Sequence, residues 1–190
     1  VALVSIMLAN NETGVMFPVP ELAELAHEQG ALFHCDAVQV VGKIPMTLSQ
    51  TRIDMLSCSA HKFHGPKGVG CLWLRRGTRF RPLLRGGHQA HGRRAGTENI
   101  SGIVGMGAAS ELAQVHLPGM AQISQLRDRL EQHLQATIPA VTVMGGSQPR
   151  VPGTLNLAFE CIEGEAILLL MNQAGIAASS GSACTSGSLE

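Results

Sequence analysis

The stretch Ser57-Cys58-Ser59-Ala60-His61-Lys62-Phe63-His64-Gly65-Pro66-Lys67-Gly68-Val69-Gly70 decides how this chain folds. An apolar run at 53–56 feeds into it, and a second, at 69–74, leaves it. Short apolar runs bounded by turn residues read as strands, so the strands are placed at 53–57 and 69–74. Between them lies a loop of hydroxyls, histidines, lysines and glycines. A lysine beside buried strands needs compensation, because burying an ammonium costs free energy. An amine that is neutral or condensed to an imine carries less of that cost and presents a reactive nitrogen. Lys62 is therefore read as an imine-forming lysine, against the plainer reading of a solvated loop side chain. Lys67 follows Pro66 and reads as a turn residue. Ser59 and His61 can donate hydrogen bonds to a phosphate, and Gly65, Gly68 and Gly70 permit close backbone approach.

Upstream, residues 1–8 are apolar apart from Ser5 and read as a buried parallel strand, ended by the polar loop Asn10-Asn11-Glu12-Thr13-Gly14. Pro20 opens a helix with Leu22, Leu25 and Ala26 on one face and Gly30 as its stop. A strand follows at 31–35, with Asp36 at its carboxyl end. In open α/β sheets that end lines the ligand crevice, which makes Asp36 a candidate functional acid; the alternative is a turn or cap acid. Strand, helix, strand, loop, strand predicts an α/β architecture with a mostly parallel sheet.

Downstream, residues 98–116 have helical spacing at Ile100, Ile103, Val104, Ala108, Leu112 and Val115, with Thr97 in the N-cap position. Gly102, Gly105 and Gly107 weaken helix propensity and point to close packing. A second helix at 120–137 turns Ile123, Leu126, Leu130 and Leu134 inward. Successive helices end the parallel pattern, so a domain change is placed near residue 117, giving 1–117 and 118–190. The second part reads as a smaller α+β unit, with strands at 141–143, 154–159 and 176–178 and a helix at 163–173.

Of the 190 residues, 45% are hydrophobic and 15% charged, enough for a sizeable core. The net charge of zero gives no global drive toward nucleic acid or an anionic membrane, and no apolar run reaches spanning length. The segment 75–94 carries Arg75, Arg76, Arg79, Arg81, Arg85, Arg93 and Arg94 without an acid, but its one aromatic is Phe80. It reads as a solvated connection rather than a nucleic-acid surface. Five cysteines and no C-x-x-C pair fit neither a disulfide framework nor a zinc ribbon, and point to a reducing cytoplasm. Cys35, Cys58, Cys71 and Cys161 read as buried small hydrophobes, whereas Cys184 lies in a Ser/Gly-rich segment where nothing would bury it. Cys58, His61 and His64 could offer soft ligands to zinc, but a fourth ligand is missing and no metal site is expected. Val1 begins inside a strand and the sequence stops shortly after Cys184, so both ends read as cuts through a longer protein.

The candidates suit one cofactor. Pyridoxal 5′-phosphate requires an imine-forming lysine, an acid against its ring nitrogen and donors for its phosphate. Lys62, Asp36, and Ser59 with His61 match those needs, and Gln39 could bond the ring's phenolate oxygen. Here the chain resembles the cysteine desulfurases, fold-type I pyridoxal-phosphate enzymes of the aminotransferase class V group. The resemblance runs through essentially all 190 residues. It is carried by Asn10-Asn11-Glu12-Thr13-Gly14, His34-Cys35-Asp36-Ala37-Val38-Gln39, Ser59-Ala60-His61-Lys62, Arg94-Ala95-Gly96-Thr97 and Ser179-Ser180-Gly181-Ser182-Ala183-Cys184-Thr185. Leu83-Leu84-Arg85-Gly86-Gly87-His88-Gln89 and the ending Ser186-Gly187-Ser188-Leu189-Glu190 are most similar to the nitrogen-fixation (NifS) branch.

The resemblance implies that 1–117 is the C-terminal part of a large cofactor-binding domain and 118–190 part of a small domain. It implies Lys62 as the lysine joined to the cofactor and the base for the Cα proton, Asp36 against the ring nitrogen and Gln39 on the phenolate. Asn11 lies beside cofactor and substrate carboxylate, Ser59 and His61 hold phosphate, and Thr97 reaches the phosphate of the partner subunit in a homodimer. By the same resemblance, Cys184 would take sulfur from L-cysteine as a persulfide, leaving alanine, and pass it to an iron–sulfur scaffold protein. Two alternatives stay open: a non-catalytic fragment that dimerises or binds scaffold, and another class V enzyme such as a selenocysteine lyase.

Overall fold

The computed structural model describes residues 1–181. Two compact units form, one from Val1–Leu8 with Phe17–Pro118, the other from Ala9–Met16 with the chain from Gly119 onward. The segment Ala9–Met16, which the sequence reading kept inside 1–117, thus groups with the second unit.

The first unit is built on a four-stranded sheet in the order β1 (Leu3–Met7), β2 (Leu32–Asp36), β3 (Met55–Ser59), β4 (Gly70–Leu74). The first three strands run parallel and β4 returns antiparallel to β3, so the sheet is mostly parallel as expected. Helix α1 (Val19–Glu28) makes the crossover between β1 and β2 and packs on both. Its buried side is Val19, Ala23 and Ala26, spaced by four and three residues; Leu25, expected inside, is 57% exposed. Small residues let the helix sit close over β2, whose Phe33 and Cys35 are fully buried on one face. Burying a side chain of that size contributes about 1.5–3 kcal/mol.

β1 is not the buried strand that its composition suggested. It is an edge strand, and Leu3, Ser5 and Met7 are exposed. β3 starts and ends two residues later than the apolar run at 53–57. Asp54 is the reason: its buried carboxylate accepts the Phe33 N–H at 2.8 Å and lies 2.9 Å from His27 Nε2, so the chain is pinned by a side chain before the ladder starts. Arg75 closes the far end, donating to the carbonyls of Ile53, Leu48 and Thr51 at 2.7–2.9 Å.

After β4 the Arg-rich segment is largely exposed and contains one irregular turn, α2 (Gln89–Gly92), with Ala90 and His91 at positive φ. Helix α3 (Ile100–His116) is capped by Asn99, whose side chain accepts from the Gly102 N–H, and not by Thr97. Its packed side is also other than expected. Ile100, Ile103, Val104, Leu112 and Val115 are exposed, while Gly102 and Ala109 are buried, and Ala109 joins Ala60 and Phe63 in one cluster. The glycine reading holds at Gly105, where a Cβ would meet the Pro66 ring at 3.0 Å, but not at Gly107, which has nothing within 4 Å, and a Cβ at Gly102 would first meet Asn99 of the helix's own cap.

In the second unit, α4 (Met120–Thr137) packs on β5 (Val141–Val143), which pairs antiparallel with β6 (Leu157–Phe159), and α5 (Gly164–Gln173) follows. Ile123, Leu126 and Leu130, expected inside, are 39–54% exposed. Residues 176–178 pair with no strand among the described residues; Ile176 N–H bonds Met171 C=O, so the segment folds back on α5 instead. The Asn10–Gly14 loop belongs here. Asn10 Oδ1 accepts the N–H groups of Glu12 and Thr13 at 2.9 Å, and Gly14 C=O accepts from Val151 N–H. Gly14 has φ +74, and a Cβ there would strike Thr154 at 2.6 Å.

Candidate functional site: one edge of the parallel sheet

The carboxyl ends of β2 and β3 lie side by side, with Asp36 in register with Ser57 and with Met7 of β1. Since side chains alternate along a strand, His34 and Asp36 share one face of β2, opposite to Phe33 and Cys35. His34 ties that face together: Nδ1 lies 2.7 Å from Ser5 Oγ and Nε2 lies 3.1 Å from Ser57 Oγ. Three parallel strands are thus joined by a polar strap one step below Asp36. Its components were all in the sequence, but no motif marks them, because they meet only through register.

Asp36 closes the strand rather than capping a helix. Its C=O accepts from Leu8 N–H, and its Oδ1 accepts from Val38 N–H at 2.9 Å. That second bond holds the carboxylate over the turn that carries half-buried Gln39, a turn closed by Val40 N–H and Val41 N–H on Ala37 C=O. Beyond β3 the backbone enters a single 3-10 turn, Ala60–Phe63, with Ala60 and Phe63 buried beneath it and His61 and Lys62 exposed above it. Ser59 Oγ and His61 Nδ1 share a hydrogen bond of 2.8 Å. The turn ends at His64, whose left-handed φ of 68 reverses the chain, and Gly65 N–H bonds Ala60 C=O at 2.8 Å. Asp36, Gln39, Ser59, His61 and Lys62 therefore issue from two neighbouring strand ends. Lys67 sits in an exposed turn, as expected.

Two of the glycines read as permitting ligand approach have another use. A Cβ at Gly65 would lie 2.8 Å from Ala60 Cβ and 3.2 Å from Ala109 Cβ, and one at Gly70 would lie 2.7 Å from Cys58 O. Both serve the chain's own packing. Gly68, at φ +77, has open space around it.

The charge environment adds a residue that the sequence reading missed. Lys43 is half-buried; burial first, and then the charge of Lys62, lower its pKa. The Lys43 ammonium thus lies near enough to Lys62 to feel its charge. The signal available in sequence was only Lys43's position seven residues after Asp36. Cys35, directly before Asp36, has its pKa raised to about 12 by burial and by the Asp36 charge, which makes it the inert core thiol expected. The cysteine reading is corrected elsewhere: Cys58 is half-buried, and Cys71 and Cys161 are exposed. Cys58 packs beside Ala60 and Phe63 and faces Cys71 across the sheet. Among the described residues no group of three or more His, Cys, Asp or Glu is arranged to hold a metal ion.

The other expected site residues lie on other segments. Thr97 is exposed ahead of α3, in a loop whose Ala95, Gly96 and Thr97 carbonyls accept from Arg94 Nη1. Asn11 is exposed in the loop of the second unit. Cys184 lies outside the described residues.

The chain as a whole is similar to known proteins. The family model for aminotransferase class-V matches residues 1–190. The chain belongs to the aminotransferase class-V family. Among its class V relatives, a protein named cysteine desulfurase from Klebsiella pneumoniae is 83% identical over 190 residues, which cover 100% of this chain and 48% of that protein. One named cysteine desulfurase NifS from Azotobacter vinelandii is 60% identical, with 100% of this chain and 48% of that protein covered. The crystal structure of a NifS-like protein from Rickettsia africae superposes with a TM-score of 0.89 at 32% identity, over 95% of this chain and 50% of that one. The chain spans about half the length of the relatives it matches. The mostly parallel sheet is therefore part of a fold-type I architecture shared with the NifS-like structure.

Proposed function

We propose that the protein is a cysteine desulfurase that uses pyridoxal 5′-phosphate to take sulfur from L-cysteine. One observation carries the reading: Asp36 and Lys62 stand at the carboxyl ends of adjacent parallel strands, with a Ser59–His61 pair beside them. The names of the class V relatives support the same activity. The donor set fits the cofactor, since it offers a carboxylate for a ring nitrogen, an amine for a carbonyl and hydroxyl and imidazole donors for a phosphate. When bound, the cofactor would supply an electron sink for the substrate's Cα.

The chain's own residues would then divide the work. Lys62 Nζ would attach the cofactor and, once displaced by substrate, take the Cα proton. Lys43, whose own ammonium is disfavoured by burial and by the charge of Lys62, would add a second amine near Nζ. Asp36, held by Val38 N–H, would keep a proton on the ring nitrogen, and Gln39 would bond the phenolate oxygen. Ser59 and His61 would anchor the phosphate, with Thr97 reaching the phosphate of a partner subunit in a homodimer. Asn11 would contact the cofactor and the substrate carboxylate. Cys184 Sγ, as thiolate, would attack the substrate sulfur and keep it as a persulfide while alanine leaves. A cytoplasmic iron–sulfur scaffold protein serving nitrogen fixation would be the acceptor.

Borohydride trapping of the intact protein, followed by peptide mapping, tests the reading. The pyridoxyl group should sit on the peptide holding Lys62, and Lys62→Ala should lose both the label and sulfide release. A label on Lys43 or Lys67, or full turnover in Lys62→Ala, would overturn the assignment.

A further inference from the structure

β3 and β4 place two thiols against each other. Cys58 and Cys71 are direct partners in the antiparallel register, between the pairs Ser57↔Leu72 and Ser59↔Gly70. Directly opposed residues in such a pair point to the same face with Cα atoms about 4.5–5.5 Å apart. That separation lies within the Cα span of roughly 4.4–6.8 Å found in disulfides. Each thiol also acts on the other: Cys58 lowers the Cys71 pKa, while Cys71 and then burial raise that of Cys58. Access is asymmetric as well, since Cys71 is exposed and Cys58 is half-buried behind it.

We propose that Cys58 and Cys71 form a cross-strand oxidation site, in which Cys71 reacts with a two-electron oxidant of the peroxide class and Cys58 resolves the product to a disulfide. In the first step the Cys71 thiolate attacks one peroxide oxygen, the O–O bond breaks, and the leaving hydroxide takes a proton to become water. Cys71 is then a sulfenic acid. In the second step the Cys58 sulfur attacks the Cys71 sulfur, the S–O bond breaks, and the oxygen leaves as a second water with the Cys58 proton. Peroxide gains two electrons and the two thiols lose two. The ladder brings the two Cβ atoms to roughly 4.5–5.5 Å, and closure to the ~3.5–4.5 Å of a disulfide takes a local shift of the two strands. It would fasten β3 to β4 at the residue before Ser59, where the strand turns toward Lys62.

The test treats the intact protein with hydrogen peroxide, blocks remaining thiols and digests it without reductant. Cleavage after Lys67 separates the two cysteines, so a bridge appears as a linked peptide pair two hydrogens lighter than its parts. The expected result is that linked pair, lost on dithiothreitol treatment. Cys58→Ala should abolish it and leave Cys71 as a sulfenic acid trapped by dimedone, and Cys71→Ala should leave Cys58 a free thiol. Free Cys58 in the wild-type protein, with Cys71 oxidised no faster than exposed Cys161, would overturn the proposal.

Discussion

Replacing Gly65 by alanine should separate the turn that carries Lys62 from the helix beneath it. The new Cβ would sit 2.8 Å from Ala60 Cβ, 3.0 Å from Ala60 O and 3.2 Å from Ala109 Cβ. Carbon atoms prefer about 3.5–4.0 Å, so relief requires a displacement of roughly 0.7 Å. None of these three atoms ends a flexible side chain. Ala60 belongs to the 3-10 turn itself and Ala109 to α3, so the turn must shift as a piece or the Gly65 N–H bond to Ala60 C=O must open. Overpacking of this kind costs about 1–3 kcal/mol. A displacement approaching 1 Å at a reacting group can cost on the order of 100-fold in rate. In the intact protein, Gly65→Ala should thus lower the denaturant midpoint and reduce sulfide release from L-cysteine by roughly 10- to 100-fold. Gly107→Ala is the matched control: nothing lies within 4 Å of its Cβ, and it is in mid-helix. It should leave turnover alone and raise stability by about 0.5–1 kcal/mol. Turnover in Gly65→Ala equal to that of Gly107→Ala would refute the idea that this glycine positions the Lys62 turn.

Asp54→Ala should cost about 1–3 kcal/mol, since it leaves the Phe33 N–H buried without an acceptor, while Asp54→Asn should cost much less because its amide oxygen can still accept; urea unfolding of both variants decides it, and equal losses would contradict the account. Asp36→Ala should cut turnover strongly yet leave Lys62 trappable by borohydride, and turnover equal to wild type would sink the ring-nitrogen role. The Cys71 thiol also has a pH signature: with its pKa lowered by the Cys58 thiol, its thiolate persists below the usual value of about 8.5 and is lost only as pH falls through the lowered pKa. Alkylation of Cys71 against pH should show an inflection below that of a free thiol, and Cys58→Ala should move it upward; the same inflection in both proteins would rule out the pairing.

Much of the candidate site could be proposed from the sequence because chemistry constrains residue type locally. Lys62, Ser59 and His61 lie within four consecutive residues, and Asp36 and Gln39 within another four, so the two halves could each be read from the chain. The strand runs and the crossover helix told which strand ends would carry them, and the parallel pairing of β2 with β3 brings them together as expected. What the sequence could not decide was which face meets what. The apolar spacing of α3 marked Ile100, Val104 and Leu112 as its inner side, yet the helix packs through Gly105 and Ala109. Periodicity identifies a stripe, whereas contact goes to the side whose small residues let Ala60, Phe63 and Pro66 come close. Composition likewise made β1 a buried strand, but burial depends on neighbours, and among the four strands of this chain β1 has a partner on one side. Register decided the rest. The Ser5–His34–Ser57 strap, the Asp54 acceptor under Phe33 and the Cys58–Cys71 pair join residues 13–29 positions apart. No local pattern encodes such pairs, because each exists only once the ladder has fixed which residue stands opposite which.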